Sequence, residues 1–395
     1  MLRFGVEEEF MLVDPRRLVP VPRGRDIRDR ISVREELAPQ IGGEFLAAQL
    51  EYATTIHAGI TSAVTELAEF RTALGDAAGE LAVIPLAGGT PFDVDGAAAI
   101  VPTERYLNIA SEFGEMLVEH QVNGLHVHVE VIDPDARVRA LNGVRDWLPF
   151  LLAVTGDSPF WHGRDTGFES WRNVILRRMP TAGCPPEFDD AVDYCRRTQR
   201  LVEMGAVLDL GSIAWAARLS ERYPTVEVRV FDAQLSLDDT AMAAALARAI
   251  VDTSAQHTAR SRAPAELVDA ALWEAGRRGA AARLPDPLDG TMSSVWSLAE
   301  RLVEWIRPSL EASGDLELVV DGLDRIRRQG TGAARQRERY RGSGEVGLRE
   351  LYREACDGRV RSTPAQLSMP FDEVAGLVSS PFLRPSVRAA WPHDE

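Results

Sequence analysis

The chain contains no lysine, so every fixed side-chain cation is an arginine. This absence excludes a Walker A phosphate loop, a lysine Schiff base and the β3 lysine of a protein kinase. Phosphate, if handled at all, must be handled by guanidinium, metal and backbone N–H. Cysteine is scarce as well. Cys184, Cys195 and Cys356 are odd in number and widely spaced, which suits neither a disulfide framework nor a zinc knot and fits a reducing, cytoplasmic setting. No run of about twenty apolar residues exists, so no membrane span is expected. The opening MLRFGVEEEF passes straight into a strand-like pattern, so no signal peptide is expected either. A net charge of −16 argues against a nucleic-acid partner.

What remains is a chain of 395 residues, 45% hydrophobic and 26% charged, with apolar content for a large core. Residues 2–13 and 223–234 read as strands by their period-two alternation, and 43–55 as a short strand or extended segment. LAVIPLAGGTPF reads as a buried strand followed by a Gly-rich turn. Residues 60–82, 134–156 and 190–205 carry helical periodicity, as do ERYLNIASEFGEMLVEHQ and SLDDTAMAAALARAIVDTSAQ. The order is mixed rather than strictly βαβ. It predicts an α+β fold with a mostly antiparallel sheet. No repeat or low-complexity linker divides the chain. We expect one catalytic domain over 1–395, with polar sheet-face motifs in 3–250 and a mostly helical, Arg-rich part over 263–395.

The stretch NGLHVHVEV (123–131) raises a chemical question. Alternation puts His126, His128 and Glu130 on one strand face and Val127, Val129 and Val131 on the other. In RFGVEEEFMLV, Glu7 and Glu9 share a face, while Glu8 interrupts the apolar stripe of Phe4, Val6, Phe10 and Leu12. Glu44 and Glu51 flank an apolar segment. In TVEVRVFD, Glu227 and Arg229 lie opposite Val226, Val228 and Val230. Each of these faces, taken alone, suits a solvated strand equally well. Joined in one sheet they make a polar hollow of carboxylate, imidazole and guanidinium. Such oxygen-rich donor sets favour magnesium or manganese, and arginine beside them suits phosphoryl transfer.

Two further clusters stand out. SPFWHGRDTGFESWRN (158–173) places Arg164, Asp165, Arg172 and Asn173 among aromatics and reads as a loop that either shapes a substrate pocket or is simply pinned to the core. GTGAARQRERYRG (330–342) carries Arg335 and Arg337 in a run that is a solvated basic face or a nucleotide-phosphate contact.

Taken together, GVEEEF, LEYAT, GGTPF, GLHVHV, SPFWHGRDTGFESWRN with PTAG, and TVEVRVFD resemble the carboxylate–amine ligase family, the glutamate–cysteine ligase type 2 group. They fall in the family's order over about residues 3–250; GAARQR fits more loosely. The resemblance implies a curved, mostly antiparallel sheet wrapped by helices, like that of glutamine synthetase and the guanidino kinases. It implies an ATP- and magnesium-dependent (or manganese-dependent) reaction in which a carboxylate, by default the γ-carboxylate of glutamate, becomes an acyl phosphate. An amine, by default that of cysteine, then attacks it. It implies metal ligation by Glu7, Glu9, Glu51, His126 and Glu227, with Glu44 and His128 extending the set. It also assigns Arg229 to the transferred phosphoryl group; Arg335 and Arg337 are candidate nucleotide contacts on the residues alone. Related ligases suggest a homo-oligomer. The departures are Ala47, His57, Arg177 and Arg178, which point toward a specialised acid and amine, as in a natural-product pathway. The residues by themselves leave open a metal-dependent amide hydrolase that uses no nucleotide, and a silent ligand-binding relative.

Overall fold

Strong alternation in FGVEEEFMLV builds the central strand, β1 (Phe4–Val13). The computed structural model describes residues 1–257 and 263–358, all within one unit, Met1–Arg361. The single-domain expectation for 359–395 lies outside the described residues. Following β1 come α1 (Gly24–Ile31), β2 (Ile41–Gly43), β3 (Gln49–Ala53), α2 (Ile60–Glu80), β4 (Ile84–Leu86), α3 (Glu104–Phe113), β5 (Gly124–Glu130) and α4 (Pro134–Thr155). Next are β6 (Phe160–Trp161), β7 (Arg164–Asp165), α5 (Trp171–Leu176), α6 (Ala191–Glu203), β8 (Ala217–Leu219), β9 (Thr225–Asp232) and α7 (Leu237–Gln256). The last described part holds α8 (Ala265–Arg278), β10 (Arg283–Pro285), β11 (Met292–Ser294), α9 (Val295–Ser313), α10 (Leu316–Gln329) and α11 (Gly332–Ala355). The expected strands and helices are therefore present, with a small hairpin added between α8 and α9. No helix among the described residues is long and apolar enough to cross a membrane.

Seven strands form one sheet in the order β2-β3-β1-β5-β9-β8, with β4 also pairing with β1, and these pairings are antiparallel. The α+β expectation with a mostly antiparallel sheet holds. Register aligns the side-chain faces: Glu7 lies opposite His126, Glu9 opposite Glu51, and His128 opposite Glu227. One face is apolar except for Glu8, with Val6, Phe10, Leu50, Leu125, Val127, Val226 and Val228 all buried. It packs against α4 and α7. Helix α7 is capped by Ser236 and is buried nearly throughout. Its alanines, Ala241 to Ala249 with few interruptions, let α4 approach closely.

Glu8 interrupts this apolar face because it has a dedicated partner. Arg71 of α2 forms a bidentate pair with it, Nη2–Oε1 2.6 Å and Nε–Oε2 3.0 Å, at 1% and 2% side-chain exposure. Thr240 at the start of α7 donates to the same carboxylate at 2.7 Å. The rest of the Arg71 fork donates to the carbonyls of Gln234, Leu235 and Ala355. One guanidinium thus ties together β1, α2, the entry to α7 and the end of α11.

The segment 158–173 departs from its loop reading. Phe160–Trp161 pairs with Arg164–Asp165 through a turn at His162 (φ 51°) and Gly163 (φ 69°). Positive φ at both central residues suits the twist of a tight hairpin. Ser170 then caps α5.

Removing Arg71 strands a buried carboxylate. Arg71→Leu should cost about 3–5 kcal/mol of stability. The double variant Glu8→Leu/Arg71→Leu should lose distinctly less, read as urea midpoints with unchanged slope.

Candidate active site

The polar face of the sheet gathers the sequence-predicted acids and imidazoles into two groups. In the first, Glu7, His126 and Glu227 offer ligand atoms all within 4.8 Å of one another; in the second, Glu9, Glu44 and Glu51 do the same. β1 contributes one residue to each group, Glu7 and Glu9, because both lie on the same side of its pleat. Glu51 comes from β3 and Glu44 from the turn after β2.

The two groups differ in charge balance. Glu227 is 2% exposed and lies between two guanidinia: Arg218 Nε donates to Oε2 at 2.7 Å, and Arg229 Nη1 forms a close ion pair with Oε1. Burial opposes its ionisation, but Arg229 and Arg218 hold the carboxyl well below the usual range. For Glu7 burial again opposes, and a hydrogen bond with His126 Nδ1 and the charge contact with His128 Nε2, both 3.2 Å, hold it low. His126 is buried, and burial with the nearby Arg229 pushes it down to about 4. It is therefore neutral near pH 7, the form that ligates a metal. His128 is held above its usual value, the contact with Glu7 outweighing burial.

The second group has less cationic support. Burial and then the Glu44 carboxylate push Glu9 up to about 7. Burial with Glu7 and Glu44 pushes Glu51 well above its usual range, and burial raises Glu44. The Gly124 N–H donates to Glu9 at 2.6 Å. Carboxylates held this close need either protons or a cation. An all-oxygen set fits a hard divalent cation such as magnesium or manganese, and the Glu/His/Glu set fits manganese or magnesium equally in charge.

A bulge shapes the floor. Between the Leu125–Phe231 and Val127–Val228 pairs, Arg229 and Val230 together oppose His126. The extra residue shifts the alternation, so that Asp232 rather than Phe231 lies on the polar side, opposite Gly124. Asp232 accepts from the Asp157 N–H and the Ser158 and Ser170 hydroxyls at 2.7–2.8 Å, fastening the 158–173 segment beneath the sheet. This brings Arg172 over Gly124, where a Cβ would lie 2.5 Å from its Nη2. Arg172 is 4% exposed, donates to the Arg229 carbonyl at 3.3 Å and leaves Nε without a partner.

Beside both groups opens a pocket of about 240 Å³ whose lining includes Glu9, Glu44, His126, Arg172 and Arg229. The other sequence-predicted contacts lie elsewhere. Arg164 and Asp165 are exposed on the small hairpin. Asp165 and Glu169 take up Arg337, which also donates to the Phe168 carbonyl. Arg335 pairs with Asp239, whose other oxygen accepts from Arg325 at 2.8 Å, and burial notwithstanding, Asp239 sits at about 2. Acids of the fold hold the Arg335 and Arg337 charges, and neither arginine is part of this pocket's lining. Asn173 packs against Gly276 of α8, away from the pocket lining. Among the departures, Arg177 binds Asp269 and His57 binds Glu66, so neither shapes this pocket. Glu130 continues the polar face but pairs at the surface with Arg3.

Sequence reasoning missed Arg218, His120 and Asp232. Arg218 was recoverable, because ARLSERYPTVEV folds as a hairpin that sets Arg218 opposite Glu227. Asp232 was not, since a bulge leaves no mark on alternation.

The sequence model described as glutamate-cysteine ligase family 2 (GCS2) matches residues 3–362. The chain belongs to this family. It is an ATP-dependent carboxylate–amine ligase, and the amide-hydrolase and silent-relative alternatives fall. A chain of Nocardia farcinica, provisionally named glutamate--cysteine ligase 2-1, is 38% identical over 84% of this chain and 87% of its own. A Salinispora tropica chain with a similar provisional name is 37% identical over 93% and 94%. Two solved structures share the fold. One is the glutamate–cysteine ligase of Francisella tularensis in complex with AMP (TM-score 0.66, 14% identity, 95% of this chain and 91% of that one). The other is the bifunctional glutathione synthetase of Pasteurella multocida (TM-score 0.67, 16% identity, 90% and 52%).

If the all-carboxylate group is a cation site, manganese at a hundredfold excess over its dissociation constant should stabilise the protein by about 2.7 kcal/mol. Glu44→Gln/Glu51→Gln should raise the melting temperature without metal, by relieving repulsion, and shrink the metal-induced rise. An unchanged rise in that variant would remove the group from metal binding.

Proposed function

We propose that the enzyme joins a carboxylic acid to an amine by way of an acyl phosphate, on the polar face of the sheet. A carboxylate oxygen attacks the γ-phosphorus of ATP and ADP leaves; the amine then attacks the acyl carbon, phosphate leaves, and the nitrogen loses a proton. The observation that carries this reading is the union of two acid groups with Arg172 and Arg229 around one pocket. Magnesium or manganese bound by Glu7, His126 and Glu227 and by Glu9, Glu44 and Glu51 would neutralise charge on the phosphate oxygens. Arg229 holds the transferring phosphoryl group, and Arg218 keeps Glu227 ionised when Arg229 turns away from it. Arg172, buried and only partly hydrogen-bonded, receives the substrate carboxylate. No side-chain nucleophile is needed, since the substrate carboxylate attacks, and none of the cysteines lines the pocket. Catalysis then consists of positioning and charge stabilisation.

The names of the relatives make glutamate and cysteine the default pair, and the AMP complex of the Francisella ligase supports an adenine nucleotide. A homo-oligomer and a cytoplasmic location accord with the family.

Glu227→Gln and Arg229→Lys should each lower kcat for ADP release by at least about a hundredfold, because a lone ammonium cannot replace the planar fork and an amide cannot balance two guanidinia. The assay is ADP formed with MgATP and paired acids and amines, with product mass one water below the sum of the two. Wild-type rates in Arg229→Lys would take Arg229 out of the phosphoryl site.

A further inference from the structure

Helix α3 bounds the pocket without belonging to the core. Tyr106, Ile109 and Phe113 share one face of the helix and line the pocket, with Leu117 just beyond them. An apolar stripe at this spacing normally buries itself against a neighbouring element. Yet no residue of α3 is buried, because much of the stripe meets the pocket.

The chain on either side of α3 is fixed. The Ala47 N–H donates to the Ala99 carbonyl at 2.7 Å, and the Val101 N–H to the Phe45 carbonyl at 3.0 Å. Leu117 is buried, and the buried Gln121 side chain donates to the Gly96 carbonyl at 3.1 Å. Between these anchors the helix is a separate unit. Thr103 caps its start, and Gly114 ends it at φ 49° with open space where a Cβ would lie; glycine takes this conformation without steric cost. Among the described residues, the hydrogen bonds and ion pairs that tie α3 to the rest of the chain are Arg105 with Asp209 at 3.1 Å and the Tyr106 hydroxyl donating to the Gly43 carbonyl at 3.3 Å. The Tyr106 ring also meets Phe45 edge-on. The side chains of the ion pair are 54% and 44% exposed, so it contributes little in water.

We propose that α3 is a lid over the ligation site, opening about Gly114 and the residues before Thr103 and closing when substrates fill the pocket. A filled pocket gives Tyr106, Ile109 and Phe113 the packing surface that the fold does not supply, so occupancy and closure are linked. Elements with few buried groups are the ones that open locally at small cost. This role rests on the ligation reading above and is the same whichever substrate lies beneath the helix. Its consequence is chemical. The carbonyl carbon of an acyl phosphate is open to the amine, which gives amide and phosphate, and to water, which gives back the acid and phosphate. In each case the acyl C–O bond to phosphate breaks and the attacking atom loses a proton. A closed lid keeps water from that carbon.

Two measurements on the full-length protein test the lid. In the free protein, amide hydrogen exchange in α3 should be at least about tenfold faster than in α4. It should slow at least about tenfold with the magnesium complex of β,γ-methylene-ATP and the acid and amine that release most ADP from ATP, glutamate and cysteine being the first pair supplied. Phe113→Ala removes no buried side chain. At saturating amine it should form at least about twofold more ADP per amide than the wild type. A defect confined to amine binding vanishes at saturation, whereas entry of water does not. Exchange in free α3 as slow as in α4, no slowing with the ligands bound, or a wild-type ratio of ADP to amide in Phe113→Ala overturns the lid and leaves the ligation reading standing. No ADP with any pair, in protein that melts cooperatively, overturns both.

Discussion

Three carboxylates held within 4.8 Å of one another set the terms for this structure. Glu9, Glu44 and Glu51 repel each other and are partly removed from water, so the backbone must force them together. It does so through register. Glu9 and Glu51 are direct cross-strand neighbours on β1 and β3, and Glu44 follows the short strand that pairs with β3. The energy for this comes from the other side of the sheet, where valine, leucine and phenylalanine pack against α4 and α7. Protonation or a divalent cation relieves the crowding. In that sense the apolar face supplies the stability that the polar face spends.

The neighbouring group solves the same problem differently. Glu227 stays ionised because Arg218 and Arg229 flank it, and Glu7 because two histidines meet it. One group is compensated by the protein's own cations and the other has little such compensation. The same contrast appears at Glu8, a third kind of buried acid, compensated so fully by Arg71 and Thr240 that it serves only to fasten the core. Chain position cannot separate these roles, since Glu7, Glu8 and Glu9 are consecutive.

Much of this was legible in the residues. Alternation placed Glu7 with Glu9, and His126 with His128, because a strand's period is fixed by its pleat. Helical periodicity placed the helices over 134–156 and from Ser236 onward, and in the structure Asp133 and Ser236 cap them. The arginines were the least legible. Without lysine, every structural cation looks like a catalytic one, and Arg335, Arg337 and Arg177 proved to answer Asp239, Asp165, Glu169 and Asp269. Of the cluster at 164–173, only Arg172 reaches the pocket.

The order of residues alone determined which side chains share a face, that the cations are guanidinia, and that the acids gather on strands, since these depend on local geometry and composition. Which strands are neighbours, and so which acids meet, was decided by tertiary pairing between segments as distant as Glu7 and His126 or His128 and Glu227. The bulge at Arg229 and Val230 was decided there too: it turns Asp232 inward, anchors the segment bearing Arg172 and completes the pocket. An inserted residue in a strand costs little locally, so nothing in the local pattern announces it; its effect exists only where two strands must match.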